Sequence, residues 1–238
     1  MRAETGLRWI AFDAVGTLIT ADPPAADVYH RIGSRHGSQL RLEEVGCRFA
    51  ESSGRRTSDD NLSSSESIEH DFWRAVVGDV LTDVRDAEAC SAELHAWFAQ
   101  PSAWRCFEDV EPALTTLAER GYRLAIASNF DGRLHPVCKG LPPLESVATR
   151  VVSSEMGWRK PHAGFFQGLS SACGCRPGQI LMVGDDIRND VRAAEEAGLK
   201  AVWLDRHRTI DAARDSTPII QSLVELAALV PVAIDTSE

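Results

Sequence analysis

The chain has 238 residues, 44% of them hydrophobic and 25% charged, enough for one large domain or a domain with a smaller insert. Thirty-five acids against 25 Lys and Arg give a net charge of −10, which disfavours nonspecific binding to nucleic acid or to an anionic membrane. The charge does not bear on a small phosphorylated or otherwise anionic molecule held by a local cation, and the composition sets no oligomeric state.

Cys47, Cys90, Cys106, Cys138, Cys173 and Cys175 are scattered and form no CxxC pair. The first apolar run follows the N-terminus so closely that no secretory signal is expected, and reduced thiols in a cytoplasmic protein are the reading. The Cys173-Gly174-Cys175 triplet reads as the end of a helix. Near the C-terminus, Leu223 to Ile234 is apolar but carries Glu225 and Pro231 and is too short to span a bilayer.

In chain order, the first strand is expected at Trp9 to Phe12, ending in Asp13 and the turn residues Gly16-Thr17. Residues 21 to 107 then show helix-like apolar spacing at Asp27–His36, Leu42–Ala50, Ile68–Val80 and Asp86–Gln100, and no convincing strand. Ser52 to Ser67 is serine-rich and is expected to be a loop. A helix from Val110 to Arg120 stops at Gly121, and strands follow at Tyr122–Ala127 and Val147–Val152. Ile180–Val183 leads into Gly184-Asp185-Asp186, a helix over Val191–Ala197 stops at Gly198, and a fifth strand covers Ala201–Leu204. Glycine suits a helix C-terminus because it adopts left-handed backbone without strain. Alternating strands and helices predict an α/β fold with a parallel sheet covered on both faces, whose ligands sit at the carboxyl ends of the strands. The helical stretch after the first strand looks like a lid over that crevice.

Four motifs sit in order at these strand ends: Asp13-Ala14-Val15-Gly16-Thr17, Ser128-Asn129, Lys160-Pro161, and Gly184-Asp185-Asp186 with Asn189-Asp190. Together they resemble the haloacid dehalogenase superfamily in its helical-cap form, across roughly residues 9 to 205. Trp73, Trp104 and the stretch Ser128 to Leu134 are similar to one subgroup of it. The resemblance implies a Rossmann-like core at 1–20 and 108–238 and an inserted α-helical cap at 21–107.

It also implies roles. Asp13 would be the nucleophile of a covalent aspartyl intermediate. Asp13, the main-chain carbonyl of Val15 and Asp185 would hold Mg²⁺, a cation that prefers oxygen ligands. Lys160, Ser128 and the amide of Asn129 would hold phosphate oxygens and offset developing charge. Thr17, Asp186 and Asp190 would support the site, although Asp186 and Asp190 also suit the first turn of a helix. His162 matches no catalytic position and reads as a helix-turn residue.

Val15 departs from the pattern, since phosphatases of this superfamily usually place an Asp there to protonate the leaving oxygen. Losing a general acid–base typically costs about 10² to 10⁴ in rate. The expected activity is therefore hydrolysis of phosphate esters, weak or selective for activated ones such as aryl or acyl phosphates. A phosphate-binding or phospho-aspartate switch protein and a 2-haloacid dehalogenase are the alternatives. Schiff-base chemistry from a cap lysine is excluded, because the lysines are Lys139, Lys160 and Lys200. A cap carboxylate or histidine beside Val15 would be the way to replace the lost acid.

Overall fold

The computed structural model describes residues 6–57, 61–208 and 217–233. Its strands are β1 (Trp9–Phe12), β2 (Ile19–Ala21), β3 (Trp104–Cys106), β4 (Arg123–Ser128), β5 (Thr149–Val152), β6 (Ile180–Gly184), β7 (Lys200–Leu204) and β8 (Ile219–Ile220). Six of them form an all-parallel sheet in the order β5-β4-β1-β6-β7-β8. The chain builds outward from β1 through β4 to β5, returns to β6 on the other flank of β1, and builds outward again. That reversal lies between β1 and β6, where open parallel sheets bind ligands. β8 extends the five expected strands by a sixth.

The side-chain period of two divides the sheet into two apolar layers. Ile10 and Phe12 of β1, Ile126 of β4 and Leu181 and Val183 of β6 face one layer. Trp9, Ala11, Ala125, Ala127 and Met182 face the other. The helices, in chain order, are α1 (Ala25–Arg35), α2 (Leu42–Thr57), α3 (Glu66–Val80), α4 (Ala87–Phe98), α5 (Val110–Glu119), α6 (Leu134–Lys139), α7 (Pro142–Glu145), α8 (Ser153–Met156), α9 (Ala163–Cys173), α10 (Ala193–Glu196) and α11 (Leu226–Leu229). Leu114 and Leu117 of α5 and Leu134 of α6 cover the first layer, while Phe165, Phe166 and Leu169 of α9 cover the second. Gly174, at φ 60°, ends α9 where the Cys173-Gly174-Cys175 triplet predicts a helix end. Burial pushes the Cys173 thiol up to about 12, so it is an inert packing group.

Helices α1 to α4 close around their own core of Val28, Ile32, Val76, Val80 and Leu94. They lie between β2 and β3, which pair antiparallel as a two-stranded ribbon. β3 corrects the expectation that residues 21 to 107 contain no strand: three residues form it, too few to show an alternating pattern. The loop expected at Ser52 to Ser67 is also corrected. α2 runs through Thr57, α3 begins at Glu66, and of the segment between them residues 61–65 are described. Serine usually competes with helix structure, but here Ser53 returns its hydroxyl to the Phe49 carbonyl (2.7 Å) and Ser52 donates to Asp79 of α3 (2.7 Å). Ser65 caps α3 by accepting from the Ile68 amide.

One face of α3 is fastened to the sheet domain. Glu66 accepts from the Gly132 amide (2.9 Å) and the Ser154 hydroxyl (2.5 Å). Buried Glu69 receives Arg159 Nη2 on both carboxylate oxygens at 3.0 Å. Ser64 donates to Glu69 and reaches Ser153.

Candidate active site

The parallel register of β1, β4 and β6 brings Asp13, Ser128 and Asp185 to the same edge of the sheet. Asp13 follows β1 directly, and its amide donates to the Val183 carbonyl of β6 (2.9 Å), so the strand pairing itself aims the carboxylate. Ser128 donates to Asp13 Oδ1 at 3.1 Å. Lys160 Nζ donates to the same oxygen at 2.7 Å, to Asp190 Oδ1 at 2.5 Å and to the Ala127 carbonyl at 2.9 Å. The structure thus joins Asp13, Ser128, Lys160 and Asp190 in one network.

Asn129 contributes in an unforeseen way. Its side-chain oxygen accepts from the Lys160 amide (2.7 Å) and its Nδ2 donates to the Lys160 carbonyl (2.9 Å). The side chain therefore fixes the backbone that carries the lysine and takes both of its amide groups out of play.

Two glycines make the close approaches possible. Gly16 has φ 89°, where a side chain is strained, and a Cβ there would collide with the Asp185 carboxylate. A Cβ at Gly184 would collide with the Asp190 carboxylate. Thr17 donates to Asp185 Oδ1 (3.2 Å), and Trp203 Nε1 donates to the Asp185 carbonyl (3.0 Å). After Asp186 the chain takes a wide π-helical turn, Ile187–Arg192, in place of the start expected at Val191, and this turn returns Asp190 to the sheet edge. Asp186 caps this turn: its carboxylate accepts from the amides of Arg188 (2.8 Å) and Asn189 (2.9 Å) and from Asn189 Nδ2 (2.7 Å). His162 likewise caps α9, accepting from the Gly164 amide, and stacks on Trp158.

Electrostatically the cluster is overloaded with acid. One oxygen from each of Asp13, Asp185 and Asp190 lies within 4.8 Å of the others, and among the described residues Lys160 is the one cation hydrogen-bonded to them. Burial opposes the Lys160 charge, but the pull of Asp13 and Asp190 outweighs it, so the ammonium is held above the usual lysine range. Asp185 faces the crevice, and among the described residues no cation forms an ion pair with it. Partial desolvation, then the charge of Asp13, push it up to about 6. Three carboxylates against one ammonium form an all-oxygen donor set whose excess charge suits a divalent cation.

Above this floor, between the sheet edge and the helical insert, lies a cavity of about 500 Å³ with Val15 and Asn129 among its lining residues. Val15 is 42% exposed, pointing an isopropyl group where an acid is the family habit. Among the described residues lining the cavity, Asp22 is the one carboxylate and none is a histidine. Asp22 is itself largely exposed and faces Arg105 at 3.8 Å.

Two positioning residues escaped the sequence reading. Arg206, just past β7, donates to the carbonyls of Gly16 (3.3 Å) and Thr17 (2.7 Å) and to both oxygens of Asp109 (2.9 and 3.0 Å). It pins the turn that follows Asp13. Arg133 forms a buried pair with Asp131 above Asn129, with contacts of 2.6 to 3.0 Å. A polar residue two steps past a strand end was the available signal for Arg206; nothing in local spacing marks Arg133 as paired.

No described helix is long and apolar enough to cross a membrane. The chain is 27% identical to bovine haloacid dehalogenase-like hydrolase domain-containing protein 3, the subgroup to which the tryptophan and Ser128–Leu134 features point, over 94% of this chain and 93% of that protein. It is 30% identical to a phosphoserine phosphatase of Thermus thermophilus over 69% of this chain and 67% of that one. Among solved structures, a HAD phosphatase from Thermococcus onnurineus superposes with a TM-score of 0.70 at 24% identity, covering 95% of this chain and 99% of that one. The family model for haloacid dehalogenase-like hydrolase matches residues 7–198, and the chain belongs to that family.

Proposed function

We propose that the protein is a Mg²⁺-dependent phosphohydrolase of activated phosphate esters, working through an aspartyl phosphate on Asp13. The observation that carries this reading is the convergence of Ser128 and Lys160 on one oxygen of Asp13, with Asp185 and Asp190 alongside. Such an arrangement leaves the second Asp13 oxygen to attack phosphorus and holds the carboxylate in one orientation, which lowers the entropic cost of reaching the transition state. Ser128, Lys160 and the main-chain N–H of Asn129 bind the phosphoryl oxygens and offset the charge that builds on them. Mg²⁺ held by Asp13, Asp185 and the Val15 carbonyl, with Asp190 beside them, would screen the repulsion between substrate phosphate and carboxylate.

The leaving oxygen departs with the electrons of the broken P–O bond. Val15 has no proton to give it, so esters whose alkoxide is a poor leaving group react slowly, and water must release the aspartyl phosphate without a local base. Helices α1 to α4 act as the cap, and the likeness to named phosphatases supports the substrate class. The test is a panel of acyl, aryl and alkyl phosphates with and without Mg²⁺, beside Asp13→Asn. Turnover of acetyl phosphate that needs both Mg²⁺ and Asp13 supports the proposal, whereas turnover indifferent to either overturns it. A phospho-aspartate that persists for minutes in intact-mass spectra points instead to the switch reading, and metal-free halide release from a 2-haloacid points to a dehalogenase.

A further inference from the structure

We infer that the cavity under the helical insert receives an uncharged aromatic leaving group, so that the preferred substrate class is aryl phosphates and not small carboxylated phosphates. This rests on the phosphohydrolase reading and adds the identity of the group that leaves.

The wall is a continuous aromatic series. Phe49 packs against Tyr29 (ring centroids 4.9 Å apart), Tyr29 against Phe98 (6.3 Å), Phe98 against Trp104 (5.7 Å) and Trp104 against Phe130 (5.9 Å). Phe130 follows Asn129, so the series starts beside the phosphoryl-binding loop and climbs into the insert. All five rings line the cavity of about 500 Å³, a volume within the usual range for small-molecule sites. Tilted and edge-on arrangements of this kind favour an added aromatic ring over an aliphatic chain.

Charge points the same way. A glycolate, serine or haloacid fragment carries a carboxylate, which needs a free cation in the wall. Arg133 is committed in bidentate fashion to buried Asp131, and Arg105 at the open rim faces Asp22. Among the described lining residues each arginine therefore faces its own carboxylate, and Asp22 would repel a second one. Tyr29 is 2% exposed and lines the cavity, and burial pushes its phenol well above the usual range, so it faces the occupant as a neutral group.

Val15 fits this occupant. An aryl oxide leaves with the P–O electron pair at little cost, because a phenol like the tyrosine side chain ionises near about pH 10. Water protonates it after departure, and no protein acid is needed. The two departures from an ordinary phosphatase site, the missing acid and the neutral aromatic wall, have one explanation.

The experiment compares kcat/KM for 1-naphthyl phosphate, acetyl phosphate and phosphoglycolate in the wild type, Ala25→Phe and Trp73→Ala, with 1-naphthol binding followed by tryptophan fluorescence in Asp13→Asn. The wild type is expected to prefer naphthyl phosphate to phosphoglycolate by about 10²-fold, chiefly through KM. Filling the cavity in Ala25→Phe should cut the naphthyl-to-acetyl ratio by about tenfold and weaken naphthol binding in parallel, and Trp73→Ala should lower the same ratio. Preference for phosphoglycolate, or a ratio unmoved by both variants, overturns the inference while leaving the phosphohydrolase reading standing. Should no ester be hydrolysed, that reading falls and the naphthol titration decides the occupant: saturable binding weakened by Ala25→Phe supports it, and no binding overturns it.

Discussion

The floor of the crevice and the cavity above it are built on opposite principles. On the floor, Lys160 and Ser128 hold Asp13, and Lys160 holds Asp190, at 2.5 to 3.1 Å, with Asp185 within 4.8 Å of both carboxylates, so each charge depends on its neighbours. In the cavity, aromatic rings meet tilted or edge to face, and each arginine among the described lining residues faces a carboxylate. The floor is suited to one reaction, because moving any member strands the others. The cavity is suited to choosing among molecules, because its rings can change without unbalancing a charge. Reaction type and substrate choice are thus separated by about one residue, the step from Asn129 to Phe130.

The comparison breaks most severely at Asp13. Asp13→Asn keeps the shape and removes the proposed nucleophile, and steady-state assays on acetyl phosphate should show a loss of about 10³-fold or more. Lys160→Met should strand buried Asp13 and Asp190 against each other, lowering stability by about 3–5 kcal/mol in urea unfolding, with Mg²⁺ restoring a part. Val15→Asp installs the missing acid at the boundary of the two regions. It should raise kcat/KM on alkyl phosphates by about 10²-fold and change aryl phosphate turnover much less. No gain on the alkyl esters in a folded variant would sink the account of Val15.

The smallest effect lies at the edge of the floor. Burial raises the Asp109 carboxyl, but hydrogen bonds from Arg206, the Leu223 amide and Ser222 outweigh it and hold the group below its usual range. A depressed folded pKa adds stability that is complete above the unfolded value of about 3.9 and fades as pH falls through the folded one. The stability advantage of the wild type over Asp109→Asn, about 1 kcal/mol at pH 7, should therefore vanish in urea titrations as the pH drops from 5 towards 2.

Much of this was legible because function sits where strands end. An apolar run closing on Asp13, or on Gly184-Asp185, carries both its secondary structure and its chemistry in adjacent letters. The glycines were legible for a related reason: collisions with Asp185 and Asp190 leave no room for a side chain. What escaped depends on distance in the chain. Ser52 and Ser53 read as loop residues because their partners, Asp79 and a helical carbonyl, exist only once α2 and α3 have packed. Asp186 and Asp190 are four residues apart and chemically identical, yet one caps a helix and the other is buried on Lys160, a division made by the wide turn between them. The aromatic wall gathers rings from residues 29 to 130, with no period for a sequence to display.

The fastening of α3 has a consequence for timing. Arg159, gripped by Glu69, immediately precedes Lys160, and Gly132, gripped by Glu66, lies three residues beyond Asn129. The insert therefore holds the same two loops that carry Asn129 and Lys160, the groups proposed to bind phosphate, and it works as a clutch: disengaging it slackens both loops together. Glu69→Gln should accelerate amide hydrogen exchange at residues 62–70 and at 128–133 alike, since a buried charge pair shared by two segments makes their opening one event. Substrate entry and the tautness of the pocket would then be a single coordinate.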